Sequence, residues 1–358
     1  MNLVVTIDTE GDQWNMSPAF SQGVRNVQHL PALQALFDEY NVTPTYLVDY
    51  PVASTEGSAS VLRRLLDRGT CEVGSHCHPW TTPPFRENGH VSNSMLCNLP
   101  TDLLYEKLQT LHEAIVKNIH VTPLSFRAGR WGYGPLVAPV LAKLGYRIDT
   151  SITPLTDWSA HHGPDFSNVQ PRPYHFCPSA IYRPDAHGTM LEVPATIDFT
   201  WRSDFLGASL TILLNRLSGS SQRLRAHLTR LRFMNRTWLS PESSTTHEMV
   251  TVTKALHRTG IPLVNLFFHS SSLQPGLTPF VRTEDDKIVF LKRLRDYLTF
   301  SRSLGLRCLT LSEALAVVPR EVTTRSMDAL HPPGSGPPPE PAVLPKSLPR
   351  RAARSFRR

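Results

Sequence analysis

Leu3-Val4-Val5-Thr6-Ile7-Asp8-Thr9-Glu10 is an apolar, largely β-branched run that stops abruptly in acids. A run this short and this branched reads as a buried strand rather than a helix. The segments on its C-terminal side give it its place in an architecture. Val27–Tyr40 carries Leu30, Leu33, Leu36 and Phe37 on one helical stripe, and Thr45–Val48 after Pro44 is a second strand. A buried strand, a helix and another buried strand are the unit of a parallel sheet.

The same unit recurs along the chain. Ala59–Arg68 is a helix stopped by Gly69, and Cys71–Ser75 is a strand. Thr101–His120 is a long helix whose start resembles a cap at Thr101-Asp102, with Glu106 following; Leu124–Phe126 is strand-like. Pro135–Leu144 is a helix closed by Gly145, and Tyr146–Ile148 and Met190–Val193 are further strands. Leu263–Phe268 is the most apolar strand, after a helix ending near Gly260. Glu284–Leu304 is a helix, Arg307–Leu311 a last strand, and Ser312 is expected to cap a final short helix. Strand then helix, about seven times over, predicts a parallel β/α architecture, as a barrel or an open sheet. No glycine-rich turn of the dinucleotide-binding kind follows the first strand. Residues 157–188, rich in Pro, His and aromatics, read as a long loop over one face.

Composition bounds the rest. The chain has 358 residues, 40% hydrophobic, and a formal net charge of +7. One domain is expected over residues 1–320 and a disordered, Pro-rich basic tail over 321–358. Cys71, Cys77, Cys97, Cys177 and Cys308 form no CxxC pair and no disulfide framework, which fits a reducing compartment. No signal peptide or membrane-spanning run is read, so the expected location is cytoplasmic, with peripheral contact at the inner membrane face. That contact would come through Arg216–Arg236, a segment with six arginines and no acid, facing anionic lipid. An amphipathic helix packed on the domain explains that segment as well. No nucleic-acid-binding motif is present, and no such partner is expected.

Polar residues interrupt the pattern at strand ends. Asp8 and Glu10 follow the first strand, His76 and His78 the third, Arg127 the fourth, Asp149 the fifth and His269 the apolar Leu263–Phe268. In a β/α barrel those ends converge on one rim. Residues two apart in an extended chain point the same way, so Asp8 with Glu10, and His76 with His78, can each face one site. Two imidazoles with one or two carboxylates suit a divalent ion: zinc, with cobalt or nickel as substitutes. Taken singly, each motif has an ordinary reading, as a solvated pair or a satisfied core histidine.

The motifs together resemble those of the polysaccharide deacetylase family, the NodB-like carbohydrate esterases. Thr6-Ile7-Asp8-Thr9-Glu10, Glu72 to Pro79 around His76 and His78, Phe126 to Gly132 around Arg127, Tyr146 to Ser151 around Asp149, and Phe267-Phe268-His269-Ser270 occur in family order. The nearest likeness is to the branch linked to cell-surface polysaccharide and lipopolysaccharide assembly. The resemblance implies a distorted (β/α)7-type barrel that removes an acetyl group from an acylated sugar, glycolipid or polysaccharide. It implies Asp8 as general base, Arg127 holding it, His269 as general acid, Asp149 supporting that pair, and His76 and His78 as metal ligands with Glu10. Asp12 and Asp8 are alternatives for the third ligand. Two departures stand out: Thr9 separates the acids, and the histidines are two apart, with Trp80 at the later position. Hydrolysis of another C–N bond, in a ureide or imide, and a non-catalytic sugar-binding role are the competing expectations.

Overall fold

The first strand, β1 (Asn2–Thr9), is buried along almost its whole length because both faces and both edges are covered. In the computed structural model, which describes residues 1–14, 22–201 and 234–320, it pairs with three other strands of a nine-stranded sheet. One edge pairs in parallel with β10 (Leu263–His269), in a register that sets Asn2 beside Leu263 and Asp8 beside His269. The other edge is shared: β11 (Arg307–Leu309) pairs with its first half and β2 (Thr45–Val48) with its second. From β2 the sheet continues in parallel through β3 (Glu72–Cys77), β4 (Ser125–Ala128), β5 (Ile148–Asp149) and β7 (Met190–Glu192). The outermost strand, β6 (Tyr174–Phe176), is antiparallel.

The path from β10 to β7 thus holds seven parallel strands. It curls into a barrel whose seam is bridged by single bonds instead of a ladder. Thr196, beyond β7, donates its N–H to the Asn265 carbonyl at 3.3 Å and accepts the Asn265 N–H on Oγ1 at 2.7 Å. Leu239 N–H reaches Thr196 O at 2.8 Å, and Phe267 N–H reaches Leu239 O at 3.1 Å. This is the distorted barrel expected, in one unit. A ribbon, β8 (Ile197–Trp201) with β9 (Met234–Trp238), stands beside the seam.

The helices are α1 (Leu30–Glu39), α2 (Tyr50–Ser54), α3 (Glu56–Asp67), α4 (Thr101–Ile119), α5 (Val137–Lys143), α6 (Thr246–Arg258), α7 (Glu284–Ser303) and α8 (Leu311–Val317). Their apolar stripes cover the sheet; α1 buries Leu30, Leu33, Leu36 and Phe37, as its spacing requires. Two expected caps are corrected. The last helix is capped by Thr310, not Ser312: Thr310 and Glu313 form a reciprocal capping box, which puts Ser312 inside the helix. At α4 the cap position is Pro100, and Thr101 is already helical with no side-chain cap bond.

The expected loop 157–188 contains β6. Gly188 lies so close to this strand that a Cβ there would meet the Phe176 carbonyl carbon at 2.4 Å. All five cysteines are free. No helix among the described residues is long and apolar enough to cross a membrane. The tail 321–358, and Arg216–Arg236 up to residue 233, lie outside the described residues.

Candidate active site

Parallel register carries the functional side chains to one rim. Asp8 lies opposite His269, and His76 lies opposite Arg127. Two groups form there, one around Glu10, just past the end of β1, and one around Asp8 within it.

The first group is Glu10, His76 and His78. Glu10 Oε2 lies 2.8 Å from His78 Nε2 and 3.6 Å from His76 Nε2. The two Nε2 atoms are 3.0 Å apart. His76 Nδ1 donates to the Arg127 carbonyl at 3.1 Å, which turns its Nε2 inward toward the other two groups. Electron-rich atoms this close repel unless a proton or cation lies among them. Four-coordinate zinc, with bonds of about 2.0–2.1 Å, sets its donors about 3.3 Å apart. The three separations bracket that spacing, and two imidazoles with one carboxylate make a three-donor set with a fourth position left open. The residues therefore fit a divalent metal. Burial pushes the Glu10 carboxyl up, but its contacts with His76 and His78 outweigh it and hold the group ionised.

The second group is Asp8, Arg127 and His269. Arg127 is fully buried and its donors are used: Nη1 to Asp8 Oδ1 at 2.6 Å, Nη2 to Thr6 Oγ1 at 2.7 Å and Thr150 Oγ1 at 3.1 Å, and Nε to the Thr150 carbonyl at 3.0 Å. The guanidinium also lies 5.3 Å from the Trp131 ring centroid. Asp8 Oδ2 is left facing His269 Nε2 at 3.7 Å. Burial alone would raise the Asp8 carboxyl; the charges of Arg127, His76 and His269 lower it instead.

Residues outside the sequence motifs complete the site. Glu242, between β9 and α6, accepts both the backbone N–H of His269 at 3.1 Å and its Nδ1–H at 3.0 Å. Burial disfavours a charged imidazole, but the Glu242 carboxylate and its hydrogen bond raise His269 to about 10. Glu242 lies in Ser240-Pro241-Glu242-Ser243-Ser244, where nothing in the spacing singles it out. Trp14 meets His269 edge-on at 4.7 Å and Phe280 stacks on it at 6.3 Å; they remain 44% and 39% exposed.

The structure also separates residues the motifs had grouped. Asp12 holds Asn26 and Arg25 instead of joining the histidines. Asp149 lies behind the rim, where its carboxylate bonds Ser151 and Glu192; the contact with Arg127 is made by its neighbour Thr150. Arg130 turns to Ser94. Arg236, the one described arginine of the basic segment, donates to the Leu155 carbonyl at 3.2 Å.

No family model and no curated protein matches the chain. Solved structures do. A presumed polysaccharide deacetylase from Mycobacterium smegmatis superposes with a TM-score of 0.51 at 16% identity, over 90% of this chain and 93% of its own. The chain shares its fold with polysaccharide deacetylases. A presumed glycoside hydrolase/deacetylase from Parabacteroides distasonis superposes with a TM-score of 0.54 at 14% identity, over 88% of this chain and 71% of its own.

Proposed function

We propose that this protein is a metal-dependent deacetylase that hydrolyses an acetyl group from an acylated sugar, as polysaccharide, oligosaccharide or glycolipid. One observation carries the reading: His269 Nε2 and Asp8 Oδ2 face each other at 3.7 Å beside a three-donor metal set. Proton acceptor, proton donor and electrophile site are the three requirements of metal-assisted hydrolysis.

Glu10, His76 and His78 would hold the metal. Bound there, a divalent ion polarises a carbonyl and acidifies a water. Arg127 occupies Asp8 Oδ1, so Oδ2 is the atom free to take a proton from the attacking water. Ion pairing keeps Asp8 deprotonated and orients it at once. His269, held protonated by Glu242, donates a proton to the departing amine or alcohol. The exposed faces of Trp14 and Phe280 flank that donor and offer an apolar wall to the sugar ring that leaves.

The test is acetate release from N-acetylated and O-acetylated oligosaccharides by the zinc- and cobalt-loaded protein, beside His76→Ala/His78→Ala. Release by the wild type, abolished with metal binding in the double variant, is expected. Turnover of a ureide or imide with none on acetylated sugars would move the reaction to another C–N bond. Binding of sugar without any turnover would leave a non-catalytic module. Flotation with anionic against neutral vesicles tests the lipid contact expected of Arg216–Arg236.

A further inference from the structure

The two imidazoles of the metal set are held in different ways. His76 is oriented by a hydrogen bond from Nδ1 to the Arg127 carbonyl. His78 Nδ1 is buried with no hydrogen-bond partner. A histidine ligand ordinarily donates its second N–H to an acceptor that sets the ring's orientation. At His78 packing stands in for this. Gly129 lies against the ring, so close that a Cβ would meet Nδ1 at 2.2 Å, and the Trp80 ring packs on it at 4.3 Å between centroids. Packing of this kind is only as firm as the segment that supplies Trp80.

That segment is the turn Pro79–Thr81, and a lysine anchors it. Lys107 lies on the buried stripe of α4, among Leu103, Leu104, Leu108 and Leu111, with its side chain 0% exposed. A buried ammonium is tolerated only when its N–H groups are bonded. Its three partners all lie in the segment after His78: the Pro79 carbonyl at 2.9 Å, the Thr82 carbonyl at 2.7 Å and Glu87 Oε1 at 2.9 Å. Within the turn, the Thr81 N–H and hydroxyl both donate to the His78 carbonyl.

We infer that Lys107 is a positioning residue for the second metal-binding imidazole: by clamping the carbonyls of Pro79 and Thr82 it holds Trp80 against His78 and replaces the hydrogen bond that His78 Nδ1 lacks. The inference rests on the proposed metal set of Glu10, His76 and His78. It concerns a group that touches neither metal nor substrate, so the measurement is metal binding, not turnover.

Cobalt titration followed by visible absorption compares wild type, Lys107→Met and Thr253→Val. Thr253 on α6 bonds Met249 on its own helix and Tyr297 on α7, none of them in the metal set, and serves as a destabilised control. Cobalt affinity should fall by about tenfold or more in Lys107→Met, the size of effect seen when a ligand's outer support is removed. It should hold in Thr253→Val despite a lowered Tm. If Lys107→Met does not fold, Lys107→Gln, which keeps N–H donors for the same carbonyls, replaces it with a smaller loss expected. Unchanged cobalt affinity in a folded Lys107 variant would overturn the clamp alone, as would an equal loss in Thr253→Val. A wild type that binds no cobalt would overturn the metal reading, and the clamp with it.

Discussion

Asp8 and Glu10 are two residues apart at one strand end, yet they serve different partners: Asp8 takes the Arg127 guanidinium at 2.6 Å, and Glu10 takes His78 Nε2 at 2.8 Å. The separation follows from the register. β4 carries Arg127 to Asp8 on β1, while Glu10, just beyond that strand, reaches His76 on β3 and His78 just past it.

That division predicts opposite phenotypes. Asp8→Asn should lower acetate release by about a hundred- to ten-thousand-fold while retaining bound metal. Glu10→Ala should release the metal. Metal analysis beside turnover reads both, and metal loss confined to Asp8→Asn would exchange the two roles.

In the proposed reaction Glu242 sets the working pH of His269. Its charge and hydrogen bond hold the imidazole protonated up to about 10. Glu242→Gln should move the alkaline limb of the kcat profile down by about one pH unit or more. The same linkage acts on stability. A cation with its pKa raised on folding stabilises the fold below its ordinary value of 6.5 and loses that contribution as pH rises through about 10. An alkaline limb unmoved by the substitution would remove Glu242 from this role.

Arg127 has a structural role beside the one proposed for it at Asp8. Arg127→Met strands the buried Asp8 charge, and should destabilise the fold by about 3–5 kcal/mol. Adding Asp8→Asn should recover part of the loss, because the stranded charge goes with it. Urea unfolding of both variants gives the comparison; strict additivity would show that the pair does not couple.

The carboxyls of Asp149 and Glu192 share a buried site. Burial raises Asp149 to about 6, and burial with the Asp149 charge raises Glu192 well above its ordinary 4.5. Between the ordinary values and these raised ones the folded chain holds protons that the unfolded chain releases. Stability should therefore fall as pH climbs from about 4 through about 6 and beyond. Glu192→Gln should flatten that decline in urea midpoints, and a decline unchanged in the variant would place its source elsewhere.

Much of the fold and the site was legible in the sequence because the signals are local. An apolar run that ends in Asp8 and Glu10, or in His76 and His78, shows both that a strand is buried and that its tip is polar, since neighbouring residues carry both signals. Helix caps are local too, but Thr310 and Ser312 lie two residues apart and both suit a cap, so composition could not choose between them. Partnership is not local. Glu242 reaches His269 across 27 residues, from a turn that follows the β8–β9 ribbon, and no periodicity marks it. Lys107 looks like a lapse in an apolar stripe until the turn after His78 is folded onto it. The chain alone determined which side chains stand at strand ends, because alternation and burial are written residue by residue. Only the closed sheet decided which carboxylate meets which cation, because hydrogen bonds act over about 3 Å and strand register alone brings distant residues that close.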